Sequence, residues 1–240
     1  MNSEIEKTLY KKAKRYVSIL RIVPFVKMIA VCNNLAFSKV DEHSDIDLFI
    51  VAERGRLFIV RTLVTFILQV LGVRRHGNLV AGRFCLSFFV DDTSYDLSKI
   101  AIDDDIYLAY WCKTLVPLVD RGGAEEFVLN NQWIADYFEK PFDFKLDNSR
   151  ILKDRFVFGR ALLRVLFFWK WGDFVEGVLS SWQIKRARAK AARASKGADL
   201  VISDHMLKFH NIDRRRYYRD KYFETYGKNA LLTDQRFARL

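Results

Sequence analysis

The sequence predicts an α/β (α+β) fold: a small mixed sheet flanked by helices, followed by a mainly helical C-terminal region. In the first half, short runs of β-branched and aromatic residues alternate with segments of helical apolar spacing. In the second half, long segments with helical spacing prevail. Half of the 240 residues are hydrophobic. The chain can therefore bury a substantial core, and its composition is not that of a disordered protein.

The first two predicted elements are a helix over residues 3–20 and a strand over Phe25–Cys32. Ser3 is followed by Glu6 at the spacing of a capping box, and the apolar residues that follow recur at helical spacing. Phe25–Cys32 is a short apolar run rich in β-branched residues, which is typical of a buried strand.

A strand, a helix and another strand are predicted next, after a polar linker over Asn33–Ser44. Asp45–Ala52 begins with strict polar–apolar alternation and ends as a continuous apolar run, which predicts a strand buried on both faces towards its end. Leu57–Leu71 is strongly apolar and is followed by Gly72, a common helix stop. Phe84–Val90 is rich in Phe and Val and predicts the third strand.

Helices dominate from about Ile102 onward. The acidic residues Asp103–Asp105 suit a helix N-terminus, where the helix dipole favours negative charge. A short strand is predicted at Leu115–Val119. A helix is then predicted from Gly123 to about Tyr137.

An exposed connector at Phe142–Asn148 is predicted to divide the chain into residues 1–145 and residues 146–240. The predicted C-terminal elements are two helices forming a hairpin around Gly172, an extended piece and a last helix: 151–171, 175–194, 200–202 and 213–226. We expect the five tryptophans, which fall at helical positions, to lie in the core: Trp111, Trp133, Trp169, Trp171 and Trp182.

The positive charge of the chain is confined to its C-terminal part. Residues 1–150 hold 20 basic side chains (Lys and Arg) and 20 acidic ones (Asp and Glu). Residues 151–240 hold 20 basic and 9 acidic side chains. This asymmetry favours a polyanionic partner, nucleic acid first and a membrane surface or an acidic protein next. A solvated basic helix surface would give the same composition.

The sequence also argues against several protein classes. The uncharged apolar run Thr62–Val73 is shorter than the ~20 residues that a membrane span needs. We therefore expect a cytoplasmic protein that has no membrane span. Three cysteines without C-x-x-C spacing argue against a disulfide scaffold or a zinc ribbon. The chain contains no P-loop, dinucleotide fingerprint or nucleophile elbow.

Asp45 and Asp47 are the residues that point to chemistry. Side chains at i and i+2 of a strand share a face, so the two carboxylates project together at the start of an apolar strand. Like charges so placed repel each other unless a cation lies between them, and Mg²⁺ or Mn²⁺ is the natural partner of such oxygen ligands. The alternative is that Asp45 caps the strand and Asp47 faces solvent.

The surrounding pattern resembles the signature of the nucleotidyltransferase superfamily (the polymerase-beta-like fold) over about residues 20–92. Val31–Phe37, a spacer of seven residues and Asp45–Val51 follow the family's order of strand, turn with short helix, spacer and Asp-apolar-Asp strand. The family's Gly-Ser pair falls on Asn33 and Asn34. Asparagine tolerates the left-handed conformation better than most residues and retains a side-chain donor for a phosphate oxygen.

The resemblance implies a metal-dependent enzyme that transfers NMP from an NTP to an acceptor, such as a protein, an RNA or a small molecule. Asp45 and Asp47 would be catalytic and would bind the metal. We expect Asn33, Asn34 and Ser44 to bind the nucleotide and its phosphates. Arg54 and Arg56 closely follow the strand of the two aspartates and could clamp phosphates; the alternative is that they are solvated charges at a helix start.

Many family members carry a third carboxylate on a later strand, which here has no acid within it. Cys85 or Ser87 would face the metal, and Asp91 and Asp92 lie just beyond the strand. Two hypotheses follow: an active nucleotidyltransferase, or a catalytically silent module of this fold that binds nucleotide or RNA. A purely structural protein is the third alternative.

Overall fold

The computed structural model describes residues 2–139, 142–193, 197–210 and 212–240. Its centre is a six-stranded sheet in the order β4-β1-β2-β3-β6-β5. The strands are β1 Val26–Cys32, β2 Ile46–Ala52, β3 Phe84–Asp91, β4 Val116–Asp120, β5 Asp199–Ile202 and β6 Met206–His210. Strands β2 and β3 are parallel, and every other neighbouring pair is antiparallel. The predicted mixed sheet is therefore confirmed.

Helices cover both faces of the sheet. The helices in the described ranges are α1 Asn2–Leu20, α2 Asn33–Ala36, α3 Leu57–Val70, α4 Ile106–Thr114, α5 Gly123–Asn130, α6 Val157–Leu166, α7 Trp169–Ala191, α8 Arg215–Tyr226 and α9 Asp234–Ala238. None of these described helices is long and apolar enough to cross a membrane.

The strand residues alternate between two cores. Ile29 and Val31 of β1 pack with α1 and α3 on one face, whereas Met28 and Ala30 pack with α4, α5, α8 and α9 on the other. Because both faces are covered, the central strands are apolar at nearly every position. This is why they appear in the sequence as continuous hydrophobic runs.

The C-terminal region contributes to the same sheet. Strand β6, which the sequence did not predict, pairs with β3, and β5 pairs with β6. Lys208 of β6 is almost fully buried and forms an ion pair with Asp199 of β5, which Arg215 of α8 also contacts at 3.2 Å. The connector expected to be exposed instead buries Phe144 and Leu146.

Several predicted helices have different bounds. Helix α4 begins at Ile106, because the Asp105 carboxylate caps it by accepting the Leu108 N–H at 2.9 Å. The helix predicted over 123–137 is split at Asn131, whose buried amide accepts the Leu97 N–H at 3.0 Å. The break between the two C-terminal helices lies at Phe167–Phe168 rather than at Gly172. The predicted end at residue 194 falls outside the described residues.

The expectation that all five tryptophans lie in the core is wrong. Trp111 is buried and Trp133 is partly buried against the core. Trp169, Trp171 and Trp182 are exposed on α7. Their side chains belong to a surface considered below.

Candidate metal centre

Three side chains with ligand atoms meet where β2 and β3 begin. Asp45 immediately precedes β2, Asp47 is its second residue, and Cys85 is the second residue of β3. The parallel register pairs Asp47 with Cys85. One ligand atom from each of the three residues lies within 4.8 Å of the other two. Among the described residues, no other three His, Cys, Asp or Glu side chains meet in this way.

Asn33 forms the turn beside this cluster. Strand β1 runs antiparallel to β2 with Cys32 opposite Asp47, so the chain leaves β1 next to the carboxylates. Asn33 has a φ of 55°, the left-handed conformation that asparagine tolerates better than most residues. Its side-chain amide forms a hydrogen bond with the Asp47 carboxylate, and its Oδ1 accepts the Trp111 indole N–H at 2.8 Å. Asn33 therefore links the turn, the buried core and one carboxylate.

Burial and the neighbouring Asp45 charge raise the pKa of Asp47 to about 6. Hydrogen bonds from Cys85 and Asn33 oppose this shift but do not cancel it. A bound divalent cation would relieve the repulsion between the two carboxylates. The Asp47 carboxyl therefore keeps its proton to a higher pH than an ordinary aspartate.

Cys85 is the third side chain of the cluster. Burial, together with the charges of Asp47 and Asp45, raises the pKa of the Cys85 thiol well above its usual range. A neutral thiol is a weak ligand for hard cations. The oxygen donors of the cluster therefore come from Asp45 and Asp47, which fit Mg²⁺ or Mn²⁺.

Arg75 is the residue near the cluster that the sequence did not single out. Its Nη1 lies 2.6 Å from Oδ2 of Asp45 and 3.9 Å from Sγ of Cys85. Its backbone N–H donates to the Phe84 carbonyl at 2.9 Å, which fixes the loop beside the start of β3. The guanidinium compensates one of the two carboxylate charges and offers a donor to an incoming anion.

Ser44 and Asn34 flank the cluster. The Ser44 hydroxyl donates to Oδ1 of Asp41 at 2.8 Å, and so it closes the turn that leads into β2. Asn34 is exposed next to Asn33. Its side chain is accessible to a ligand at the same edge of the sheet.

Arg54 and Arg56 do not reach this centre. They follow the opposite end of β2, about 20 Å from Asp47 at ~3.3 Å per strand residue. Arg56 pairs there with Asp173 at 2.8 Å, and the backbone N–H of Arg54 donates to Asp92. The expectation that they bind phosphates beside Asp45 and Asp47 is therefore corrected, and Arg75 supplies the cation at that place.

Asp91 and Asp92 cannot complete the set of carboxylates either. They lie at the far end of β3, where Asp91 pairs with Nδ1 of His205 at 2.7 Å. The third side chain of the cluster is therefore Cys85 and not an acid. No protein-family model, characterised protein or solved structure was found to match the chain.

Proposed function

We propose that the chain is a metal-dependent nucleotidyltransferase in which Asp45 and Asp47 hold Mg²⁺ or Mn²⁺ against the phosphates of an NTP. The proposal is carried by the paired carboxylates, which lie at the start of β2 beside the left-handed turn at Asn33. This is the placement that the resemblance to the nucleotidyltransferase superfamily implies.

The reaction transfers NMP to an acceptor hydroxyl or amine. The acceptor atom attacks the α-phosphorus, the bond from that phosphorus to the bridging oxygen breaks, and pyrophosphate leaves with the electron pair. The acceptor proton passes to water or to a basic group of the acceptor. A divalent metal held by Asp45 and Asp47 would neutralise charge that develops on the phosphates. Asn33 orients Asp47, and Arg75 holds Asp45 and faces the incoming anion.

A second candidate function is nucleotide or RNA binding without turnover. Two observations favour it: Cys85 replaces the third acid, and Arg75 already compensates part of the carboxylate charge. Arg75→Gln separates the candidates. In an active enzyme with a resident metal, it weakens NTP binding but leaves Mn²⁺ binding intact or stronger. In a silent module whose site is held together by the Arg75–Asp45 ion pair, Arg75→Gln abolishes nucleotide binding whether or not metal is present.

The test is NMP transfer by the purified chain with Mg²⁺ or Mn²⁺ and each α-labelled NTP. The acceptors offered are the protein itself, cell lysate and total RNA. Label should be transferred by the wild type, lost in Asp45→Asn/Asp47→Asn and retained in Glu42→Gln, which removes an exposed acid from the adjacent loop. NTP binding without transfer would favour the silent module. If the chain neither transfers NMP nor binds NTP, both candidate functions are rejected.

A further inference from the structure

Helix α6 turns its apolar face away from the protein. Phe158, Leu162 and Val165 form one stripe at helical spacing, and all three are exposed, Phe158 to 92%. The opposite face of α6 carries Arg164, which bonds Glu53 through two contacts of 2.7 and 2.8 Å. A surface helix ordinarily buries its apolar stripe and exposes its charges. In helix α6 the apolar stripe is exposed instead.

Helix α7 continues this apolar surface beyond the break at Phe167–Phe168. Trp169 and Trp171 are 71% and 60% exposed, and Phe174 stacks on Trp171 with ring centroids 5.7 Å apart. Exposed Val178 and Trp182 extend the stripe along the helix. We call this surface the elbow; its apolar members are Val157, Phe158, Leu162, Val165, Leu166, Phe168, Trp169, Trp171, Phe174, Val178 and Trp182. Exposed apolar side chains concentrated in one segment mark interaction sites.

The elbow is firmly attached to the rest of the molecule. The buried Glu176 carboxylate accepts two backbone N–H groups of α3, from Phe58 and Ile59, each at 2.8 Å. Gly172 lies so close to the Phe167 carbonyl that a Cβ there would overlap it. The Gln183 amide donates to the Thr62 hydroxyl at 2.9 Å. The outward direction of the aromatic side chains is therefore fixed by contacts on the inner face of α7.

The charges around the elbow are mostly positive. Residues 153–193 contain ten Lys and Arg against three Asp and Glu. Two of the acids, Asp154 and Asp173, pair with Arg160 and Arg56, and the third is the buried Glu176. The exposed basic side chains beside the apolar members include Arg155, Lys170, Lys185, Arg188 and Lys190.

We propose that the elbow binds the surface of a membrane that contains anionic lipids. Trp, Phe and Leu side chains on one surface, with Lys and Arg at its margin, are the composition of helices that lie in the headgroup boundary. Anionic headgroups complement the basic margin. Helix α6 has ten residues, about half the ~20 needed to span a bilayer, so it would lie along the surface rather than across the bilayer.

The α6 part of the elbow lies at the opposite edge of the sheet from the metal centre. Arg164 packs over Phe25, just before β1, whereas the metal centre lies where β1 ends. Strand β1 has seven residues, which separates the two edges by about 20 Å. Membrane binding is therefore independent of the proposed enzymatic function.

The test is flotation of the full chain with large unilamellar vesicles. One set is phosphatidylcholine alone, and the other contains roughly 30% phosphatidylserine. We expect the protein to float with the anionic vesicles, with a blue shift of tryptophan emission and weaker binding at about 0.5 M salt. Asp45→Asn/Asp47→Asn should float like the wild type, so loss of transfer and loss of membrane binding are separable.

Two pairs of substitutions test the elbow itself. Phe158→Ser/Trp171→Ser should lower the partition coefficient by about tenfold or more, because two inserted aromatic groups are lost. Phe66→Ser/Leu129→Ser removes side chains of similar exposure, 64% and 66%, from α3 and α5. This control should stay within about twofold of the wild type. Urea unfolding of both pairs confirms that they fold.

Three outcomes would overturn the proposal. The first is failure to float with anionic vesicles, or equal binding to both vesicle types. The second is an equal loss of binding in the two pairs of variants. The third is a concentration-dependent dimer in sedimentation equilibrium that Phe158→Ser/Trp171→Ser dissociates, because the occupant of the elbow would then be a second copy of this chain.

Discussion

Glu176 is expected to contribute strongly to stability because it caps a helix from another part of the chain. Helix α3 begins after Arg56, whose side chain makes no capping hydrogen bond. The first four N–H groups of an α-helix have no partner within the helix. Glu176 of α7 satisfies two of them, those of Phe58 and Ile59. Its carboxylate also lies at the positive end of the helix dipole.

Replacing Glu176 should lower the free energy of unfolding by an amount that depends on what remains of the carboxylate. Glu176→Ala leaves two buried N–H groups without acceptors, at about 1–3 kcal/mol each. Part of this loss is offset because burial raises the pKa of Glu176, so its charge is itself costly to bury. We therefore expect a loss of about 3 kcal/mol for Glu176→Ala and about half of that for Glu176→Gln, which keeps one acceptor.

Urea unfolding followed by circular dichroism and tryptophan fluorescence measures this loss. Glu125→Gln is the matched control, because Glu125 is an exposed acid in the first turn of α5. It should cost no more than about 0.5–1 kcal/mol. Hydrogen exchange of the Phe58 and Ile59 amides should accelerate in both Glu176 variants. If both variants unfold within about 0.5 kcal/mol of the wild type, the capping role of Glu176 is refuted.

Three further predictions concern the metal centre. The pKa of Asp47 is raised to about 6, so without metal the contribution of Asp47 to stability is greatest below its unfolded pKa and falls as pH rises through 6. The Mn²⁺ affinity of the chain, measured by calorimetry, should fall as pH drops below 6. An affinity that stays constant from pH 7 to pH 5 would contradict the raised pKa. Cys85→Asp should raise the Mn²⁺ affinity at neutral pH because it adds a third oxygen ligand. It should lower the melting temperature without metal because it adds a third like charge. An unchanged Mn²⁺ affinity would place Cys85 outside the ligand set. Asn33→Ala should lower the free energy of unfolding by about 1–2 kcal/mol, because alanine tolerates the left-handed backbone at this position less well than asparagine. Asn33→Gly should lower it less, because glycine adopts this backbone freely. Equal unfolding midpoints for the two variants would show that φ is not the cause.

The central strands and the two carboxylates were predictable because their signals are local. Strict alternation places Asp45 and Asp47 on one face, and the apolar run after them marks a strand with both faces covered. The short strand β6 was missed because it contains Lys208, which is unusual inside a buried strand. What permits that lysine is its ion pair with Asp199, which becomes visible only once β5 and β6 are paired.

Arg75 was missed for a related reason. It is 30 residues from Asp45 in the sequence, and the two meet only because β2 and β3 are parallel and joined by α3. The parallel crossover returns the chain to the same edge of the sheet, so the loop before β3 passes beside the start of β2. A basic loop in the sequence gives no indication of this contact.

The outward face of α6 and α7 shows that an apolar pattern does not by itself specify burial. The spacing of Phe158, Leu162 and Val165 is the same whether the stripe faces a core or a membrane. The direction is set by Arg160 and Arg164, which pair with Asp154 and Glu53 on the inner side. Those partners lie 6 and 111 residues away, so the orientation of the stripe depends on the fold and not on the helix.

The opposite positions of the elbow and the metal centre constrain how the two proposals combine. A chain held to a membrane through α6 and α7 directs the beginning of β2, with Asp45 and Asp47, away from the lipid by about 20 Å, the length of a seven-residue strand. An acceptor would then approach the metal centre from the aqueous side. NMP transfer to a soluble acceptor should therefore proceed equally with and without anionic vesicles. A strong loss of transfer on vesicle binding would show that the acceptor path crosses the elbow.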